Sequence, residues 1–172
     1  MSDTNATAAL SGGTPKVSKI NEAVIRIAGN SQDGIQVIGG FLARLAGRSE
    51  QEVMTFMTIP ATISGGPSIF QVRMGTGDIL SAGDQADVLV VFYQHSYEDH
   101  IESLRPGGVL LTPADIDVAK LPTAKALNVS MLGRLSRHFD FPEQSWRDSL
   151  RAHFAEKLHA ANEKAFALGR GV

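Results

Sequence analysis

Apolar residues change their spacing several times along the chain, and each change predicts an element. Ala23-Val24-Ile25-Arg26-Ile27-Ala28 is a short, mostly β-branched run that stops at Gly29, which predicts a strand and then a turn. From Gly34 the period becomes helical: Ile35, Ile38, Leu42, Leu45 and Ala46 share one face and stop at Gly47. A second strand is expected over Val53 to Ile59, ended by Pro60. Ser68 to Met74 alternates apolar and polar positions, which suits a strand with one wet face. Asp87 to Phe92 is almost continuously apolar, the pattern of a strand buried on both faces. Ser96 to Leu104 reads as a short helix, Pro106-Gly107-Gly108 as a break, and Val109-Leu110-Leu111 as one more strand. Two helices follow. Lys125 to Phe139 carries Leu127, Met131, Leu132 and Leu135 on one face. Pro142 opens the second, in which Trp146, Leu150, Phe154, Leu158, Ala161 and Ala165 recur every three or four residues.

Strands alternating with helices predict the α/β class: a single Rossmann-like domain with a mostly parallel sheet, helices on both faces and a helical C-terminal tail. Neither a repeat nor a linker interrupts residues 22–170. The expected division is a flexible leader over 1–21, rich in Ser, Thr, Ala and Gly, and one domain over 22–172. At 172 residues, 43% hydrophobic and 20% charged, the chain has the composition of a globular protein with a substantial core. The net charge of −2 gives no electrostatic case for binding nucleic acid or an anionic membrane. No apolar run approaches the roughly 18 residues of a membrane span, and the first twenty lack an export signal, so the cytoplasm is the expected compartment. The chain has no cysteine, which excludes disulfides, thiolate nucleophiles and thiolate-held clusters within it.

Two glycine loops are the candidate chemistry. Gly29-Asn30-Ser31-Gln32-Asp33-Gly34 joins the first strand to the first helix, where backbone N–H groups and the helix dipole favour an anion. The glycines are five apart rather than in GxGxxG spacing, and Asp33 would repel a pyrophosphate. Two readings therefore stand: an anion-binding turn, or a tight turn that packs helix against strand. The second loop, Ile59 to Ser68, is stiffened by Pro60 and Pro67 and carries Thr62, Ser64, Gly65 and Gly66. It reads as a rigid wall against a ligand or a partner subunit, or as an ordinary strand connection. His95 and His100 do not share a helix face, so they read as solvated histidines rather than metal ligands. Asp87 reads as fixing the turn at Gln85-Ala86. The expected sets of catalytic and metal-ligating residues are both empty, so the chain is not expected to be a complete enzyme alone.

Taken together, these loops and the tail resemble the gamma subunit or domain of the 2-oxoacid:ferredoxin oxidoreductases. The resemblance runs through Val24-Ile25-Arg26-Ile27-Ala28-Gly29 to Gly34-Ile35-Gln36, then Pro60-Ala61-Thr62-Ile63-Ser64-Gly65-Gly66 to Phe70-Gln71-Val72-Arg73, then Ala86-Asp87-Val88-Leu89. It continues through Asn128, Leu132-Gly133, Phe154, Lys157, Asn162, Ala165-Phe166 and Gly169, covering about residues 22–170. Many members carry Glu and Arg in the second loop, in the style Pro-Glu-x-Arg-Gly-Gly, where this chain has Ala61 or Thr62 and Ser64. The Pro-Ala-Thr-Ile-Ser-Gly-Gly form is similar to the branch in which this domain is fused ahead of the alpha domain, often with 2-oxoglutarate as substrate. The chain is accordingly expected to be a separate subunit or a fragment of such a fusion.

The resemblance implies a division of labour. Alpha and beta subunits hold thiamine diphosphate and Mg2+, iron–sulfur clusters pass electrons to ferredoxin, and coenzyme A lies against the gamma domain as substrate. It implies that Gly29, Asn30, Ser31, Gln32, Asp33 and Gly34, with Thr62, Ser64, Gly65 and Gly66, face the coenzyme A channel or the subunit seam. Replacing Gly65 and Gly66 with valine is then expected to raise KM for coenzyme A or to break assembly. Two rival classes remain at this point: a free-standing nucleotide- or flavin-binding α/β protein, and a purely structural subunit.

Overall fold

The computed structural model describes residues 22–58, 66–81, 83 and 85–171. The expected leader, the end of the second strand at Ile59-Pro60, and Thr62, Ser64 and Gly65 lie outside the described residues. The strands are β1 (Glu22–Asn30), β2 (Glu52–Thr58), β3 (Pro67–Gly75), β4 (Ala86–Val91) and β5 (Leu104–Leu111). The helices are α1 (Ile35–Arg48), α2 (Gln94–His100), α3 (Leu127–Leu135), α4 (Glu143–His153) and α5 (His159–Arg170), joined in places by single 3-10 turns.

One sheet carries the order β2-β3-β1-β4-β5. β1 pairs parallel with β4 and β4 with β5, while β3 runs antiparallel to both β1 and β2. Four strands therefore share one direction and β3 alone is reversed. β1 is covered on both faces as well as paired at both edges, which buries six of its nine residues.

The main core lies on one face. Ile35, Ile38, Phe41, Leu42 and Leu45 of α1 are buried against Ile25, Ile27, Val72, Met74, Val88 and Val90 of the sheet. Fully burying side chains of this size contributes about 1.5–3 kcal/mol each. The other face holds a smaller cluster of Ala28, Leu89 and Val91 beneath Tyr97 and Ile101. Helices thus cover both faces, unequally.

Four boundaries differ from the sequence reading. Pro106-Gly107-Gly108 does not end an element but lies inside β5, where the pairing slips between Ala86–Leu104 and Val88–Val109. An edge strand tolerates a proline, which has no N–H to offer, and the slip absorbs the glycines as a bulge. The helix expected over Ser96 to Leu104 is α2 plus a 3-10 turn at Ile101–Ser103. The one expected over Lys125 to Phe139 is α3 with a 3-10 turn at each end. The helix expected to run on from Pro142 breaks at Phe154 and Ala155, both extended, and resumes as α5. The break lets Trp146 of α4 stack on Phe41, with centroids 5.8 Å apart, while α5 lies against α3. A ring nitrogen of His159 lies 2.8 Å from the Phe154 carbonyl and 3.0 Å from that of Arg151, so the side chain closes the broken end. Leu158, in line with the expected stripe, is left 42% exposed.

Asp87 does something other than fix its own turn. Its carboxylate accepts the Val24 N–H at 2.7 Å and forms an ion pair with Arg105 at 2.7 Å. It thereby ties the beginnings of β1 and β5 to β4.

Candidate functional site at the switch point of the sheet

From β1 the chain crosses one face through α1 toward β2; from β4 it crosses the other through α2 to β5. The two crossovers diverge between β1 and β4. A crevice opens there, outside the carboxyl ends of the strands, where an open α/β sheet takes its ligand. Its two sides are the turn Ser31–Asp33 with Gly34 after β1, and Phe92-Tyr93 after β4.

Local chemistry explains the turn. Asn30 leaves β1 extended, and the Asp33 carboxylate reaches back to accept the Asn30 N–H at 2.6 Å. The Asn30 side chain accepts from the backbone of Asp33 in return, a capping box. Gly34 then turns left-handed at φ 72°, a conformation that costs an L side chain about 1–2 kcal/mol, before α1 begins. A Cβ on Gly34 would also lie 2.5 Å from Asn128 Nδ2. One on Gly29 would lie 3.0 Å from Asp33 Oδ2 and 3.3 Å from the Phe92 ring. Both glycines therefore permit close packing at the turn.

Asp33 has a further partner that sequence reasoning missed. The Tyr93 hydroxyl donates to Asp33 Oδ1. Donation to this carboxylate, followed by burial and the negative charge, pushes the Tyr93 phenol above its ordinary 10. Both oxygens of Asp33 are thus held from within the protein, one by each side of the crevice.

Two cavities share Phe92 as a wall. One, of about 510 Å³, is lined by Gln32, Asp33 and Gly34 from the turn and by Ala124, Lys125, Leu127 and Asn128 from the start of α3. The other, of about 400 Å³, lies toward α2 beside Tyr93, Tyr97, Leu110 and Thr112. Asn128 Oδ1 accepts the Val129 N–H at 2.7 Å, which leaves its Nδ2 donor on the side of Gly34.

Of the residues expected from the sequence, Gln32, Asp33 and Gly34 line the larger cavity, with Gly29, Asn30 and Ser31 leading up to them. Gly66 arrives beside the end of β1 by a route the sequence did not reveal. Because β3 is reversed, its first residues pair with the last of β1, Pro67 opposite Asn30 and Ser68 opposite Gly29. The buried Ser68 hydroxyl donates to the Gly66 carbonyl at 3.2 Å. Phe92 and Tyr93 carried a signal that was overlooked, since they close an apolar strand at the end where ligands bind. Lys125 carried none, and Asn128 entered only as part of the resemblance in the tail, because only the tertiary fold brings α3 beside the turn. His95 pairs with Asp99 at 3.3 Å, whereas burial, then Arg26, holds His100 below its ordinary 6.5. His100 is therefore half-buried rather than solvated. Among the described residues no three His, Asp or Glu side chains gather to hold a metal, and no helix is long and apolar enough to cross a membrane.

The class defined by this fold and rim is the doubly wound α/β domain with a crevice at its switch point. The chain belongs to the Pyruvate ferredoxin/flavodoxin oxidoreductase family, whose profile matches residues 24–126. It is 33% identical over 107 residues to the 2-oxoglutarate oxidoreductase subunit KorA of Mycobacterium tuberculosis, covering 59% of this chain and 16% of that protein. The structure is similar to the 2-oxoglutarate:ferredoxin oxidoreductase of Magnetococcus marinus, solved with 2-oxoglutarate, coenzyme A and succinyl-CoA bound. The TM-score is 0.76 at 27% identity, over 88% of this chain and 31% of that one. The fold is shared at nearly full length with the gamma subunit of a keto/oxoacid ferredoxin oxidoreductase from Geobacter sulfurreducens (TM-score 0.69, 19% identity, 87% of this chain and 94% of that one). It is shared likewise with the pyruvate oxidoreductase subunit PORC of Thermotoga maritima (TM-score 0.72, 21% identity, 88% and 96%).

Proposed function

We propose that this chain is the gamma-type domain of a coenzyme A-dependent 2-oxoacid:ferredoxin oxidoreductase of the 2-oxoglutarate branch, working in the cytoplasm only together with alpha and beta partners. The complex converts a 2-oxoacid and coenzyme A to an acyl-CoA and carbon dioxide, passing two electrons to ferredoxin, or runs in reverse. The observation that carries this reading is the family match over residues 24–126, which spans the strand–turn–helix frame and both walls of the crevice. The likeness at 27% identity to a 2-oxoglutarate enzyme holding coenzyme A supports both the branch and the ligand.

Within that complex the chain's own task is to bind and orient, not to carry the redox step. Without cysteine it supplies no thiolate for an iron–sulfur cluster; in this reading thiamine diphosphate, Mg2+ and the clusters belong to partner chains. In this reading Gly29, Asn30, Ser31, Gln32, Asp33 and Gly34, with Thr62, Ser64, Gly65 and Gly66 of the second glycine loop, serve coenzyme A or a partner subunit. A free-standing nucleotide or flavin protein is disfavoured by the family match over residues 24–126.

The test is an anoxic pull-down of the tagged chain from its host, with mass spectrometry and dye reduction on the eluate. Alpha and beta chains should co-elute, and dye reduction should require both a 2-oxoacid and coenzyme A. A chain recovered alone at native expression refutes the proposal.

A further inference from the structure

The second face of the sheet is covered only in part. Tyr97 of α2 and Ile101 of the turn after it stand above β1 and β4. Beyond them the face runs on over β3 and β2. Strand alternation puts Arg26, Gln71 and Phe56 in one register row there, on the side away from α1. The segment after β3 is fastened beside this row: Gln71 Nε2 donates to the Gly83 carbonyl at 3.0 Å, and Arg73 Nη1 to that of Ser81 at 2.8 Å. Leu80, next to Ser81 in the chain, is 89% exposed, and Phe56 on the edge strand is 53% exposed. The row therefore ends in bare apolar surface.

At its head stands a cation without a counter-charge. Arg26 is half-buried, and its Nε donates to Gln71 Oε1 at 2.8 Å, a neutral partner. Among the described residues no carboxylate pairs with it: Asp87 holds Arg105 and the Val24 N–H, and Glu22 holds Arg73. Burial lowers the pKa of the guanidinium, and no neighbouring carboxylate raises it. Its Nη1–Nη2 fork makes no hydrogen bond among the described residues. Such a fork suits a carboxylate, which accepts two parallel N–H bonds at once. An arginine beside exposed aromatic and aliphatic carbon is also the composition of a protein interface, where those side chains act as anchors. A second copy seated about a two-fold axis over the row would set Arg26 against Arg26, so the fitting partner is a different chain.

We infer that the β3–β2 half of this face seats a partner chain of the complex, through a segment that sets an aspartate or glutamate on Arg26 and apolar side chains on Phe56 and Leu80. This rests on the proposed function, which supplies such partners. It places a seam on the body of the sheet, at mid-strand, separate from the crevice at the strand ends.

The experiment uses the complex assembled from this chain and its alpha and beta partners. With the photocrosslinker p-benzoylphenylalanine in place of Phe56, irradiation should join this chain to an alpha or beta chain, at a peptide that contains an aspartate or glutamate. A crosslink to a second copy of this chain, or none at all, overturns the inference. In parallel, R26E and F56D should each weaken retention of the partner by roughly tenfold or more, and R26K much less. Exchanging the mapped carboxylate for lysine should restore assembly with R26E. F56D keeps the test decisive if R26E fails to fold, because Phe56 is exposed and outside the core. Loss in R26E that the exchange does not restore, with F56D unaffected, makes Arg26 a structural residue of the sheet and overturns the inference. Partners retained equally by wild type, R26E and F56D refute this inference alone, whereas a wild-type chain that recovers no partner refutes the functional reading and this inference with it.

Discussion

Asp33 illustrates how one residue's meaning changes once its partners are known. Read along the chain, it is a negative charge where a phosphate turn should have none. In three dimensions it is a clasp, with one oxygen on the backbone of β1 and the other on Tyr93, sixty residues later. The first contact was readable from the Asn-x-x-Asp spacing; the second was not, because it depends on β1 and β4 being neighbours. Y93F removes that donor and should lower stability by about 1 kcal/mol. Because the folded pKa of Tyr93 is raised, its contribution is present below pH 10 and is lost as pH rises through the folded value. An alkaline ultraviolet titration of the folded protein should therefore show a phenol ionising above 10 that is absent from Y93F. An identical titration curve for the two proteins would show that the clasp does not hold in solution.

Elements were legible where their signal was local. β1, α1 and β4 announce themselves by spacing, and their boundaries fall within about two residues of expectation. The α4–α5 break was invisible for the same reason: Phe154 and Leu158 continue the helical stripe across it. What forces the break is the helix pair it serves. A Cβ on Gly169 of α5 would lie 1.8 Å from the Ser130 carbonyl oxygen of α3, and one on Gly133 would lie 2.1 Å from that of Phe166. The helices meet backbone to backbone. G169A must push them apart and should cost about 1–3 kcal/mol or more, read as a fall in Tm. G47A, at an exposed helical position with nothing within 4 Å of the added methyl, should instead gain up to about 1 kcal/mol. The reverse order of stabilities would refute the packing argument. Trp146 joins the same region to α1, stacking on Phe41 and lying 6.0 Å from the Phe166 ring. W146A should cost about 3–5 kcal/mol by calorimetry, since a fully buried ring leaves a cavity between three elements.

For the whole molecule, the fold class followed from the alternation of elements, but the reversal of β3 did not. An alternating apolar–polar run says that one face is wet, and nothing about direction. That reversal brings Gly66 beside the end of β1, a placement no local pattern carries. Charge at the molecular scale also makes a prediction. Burial first, then Arg134 and Arg137, holds His138 below its ordinary 6.5; burial and Arg44 do the same for His153. An unfolded chain takes up these protons before the folded one does. The stability they confer is complete above about pH 6.5 and is lost as pH falls through the lower folded values. Tm should therefore drop between about pH 7 and pH 5, and less steeply in H138Q. A slope unchanged by H138Q would remove His138 from the account.

The position of β1 has one more consequence. It comes first among the described strands yet stands third of five in the sheet, with the β2–β3 pair hydrogen-bonded on one side and the β4–β5 pair on the other. As the chain emerges during synthesis, this central strand must wait for both flanks before its edges are covered. A polypeptide begun after Asn30 would hold two separate ribbons with nothing between them. The nine residues of β1 are thus the keystone of the domain as well as the approach to its crevice, and a redesigned amino terminus has to leave them whole.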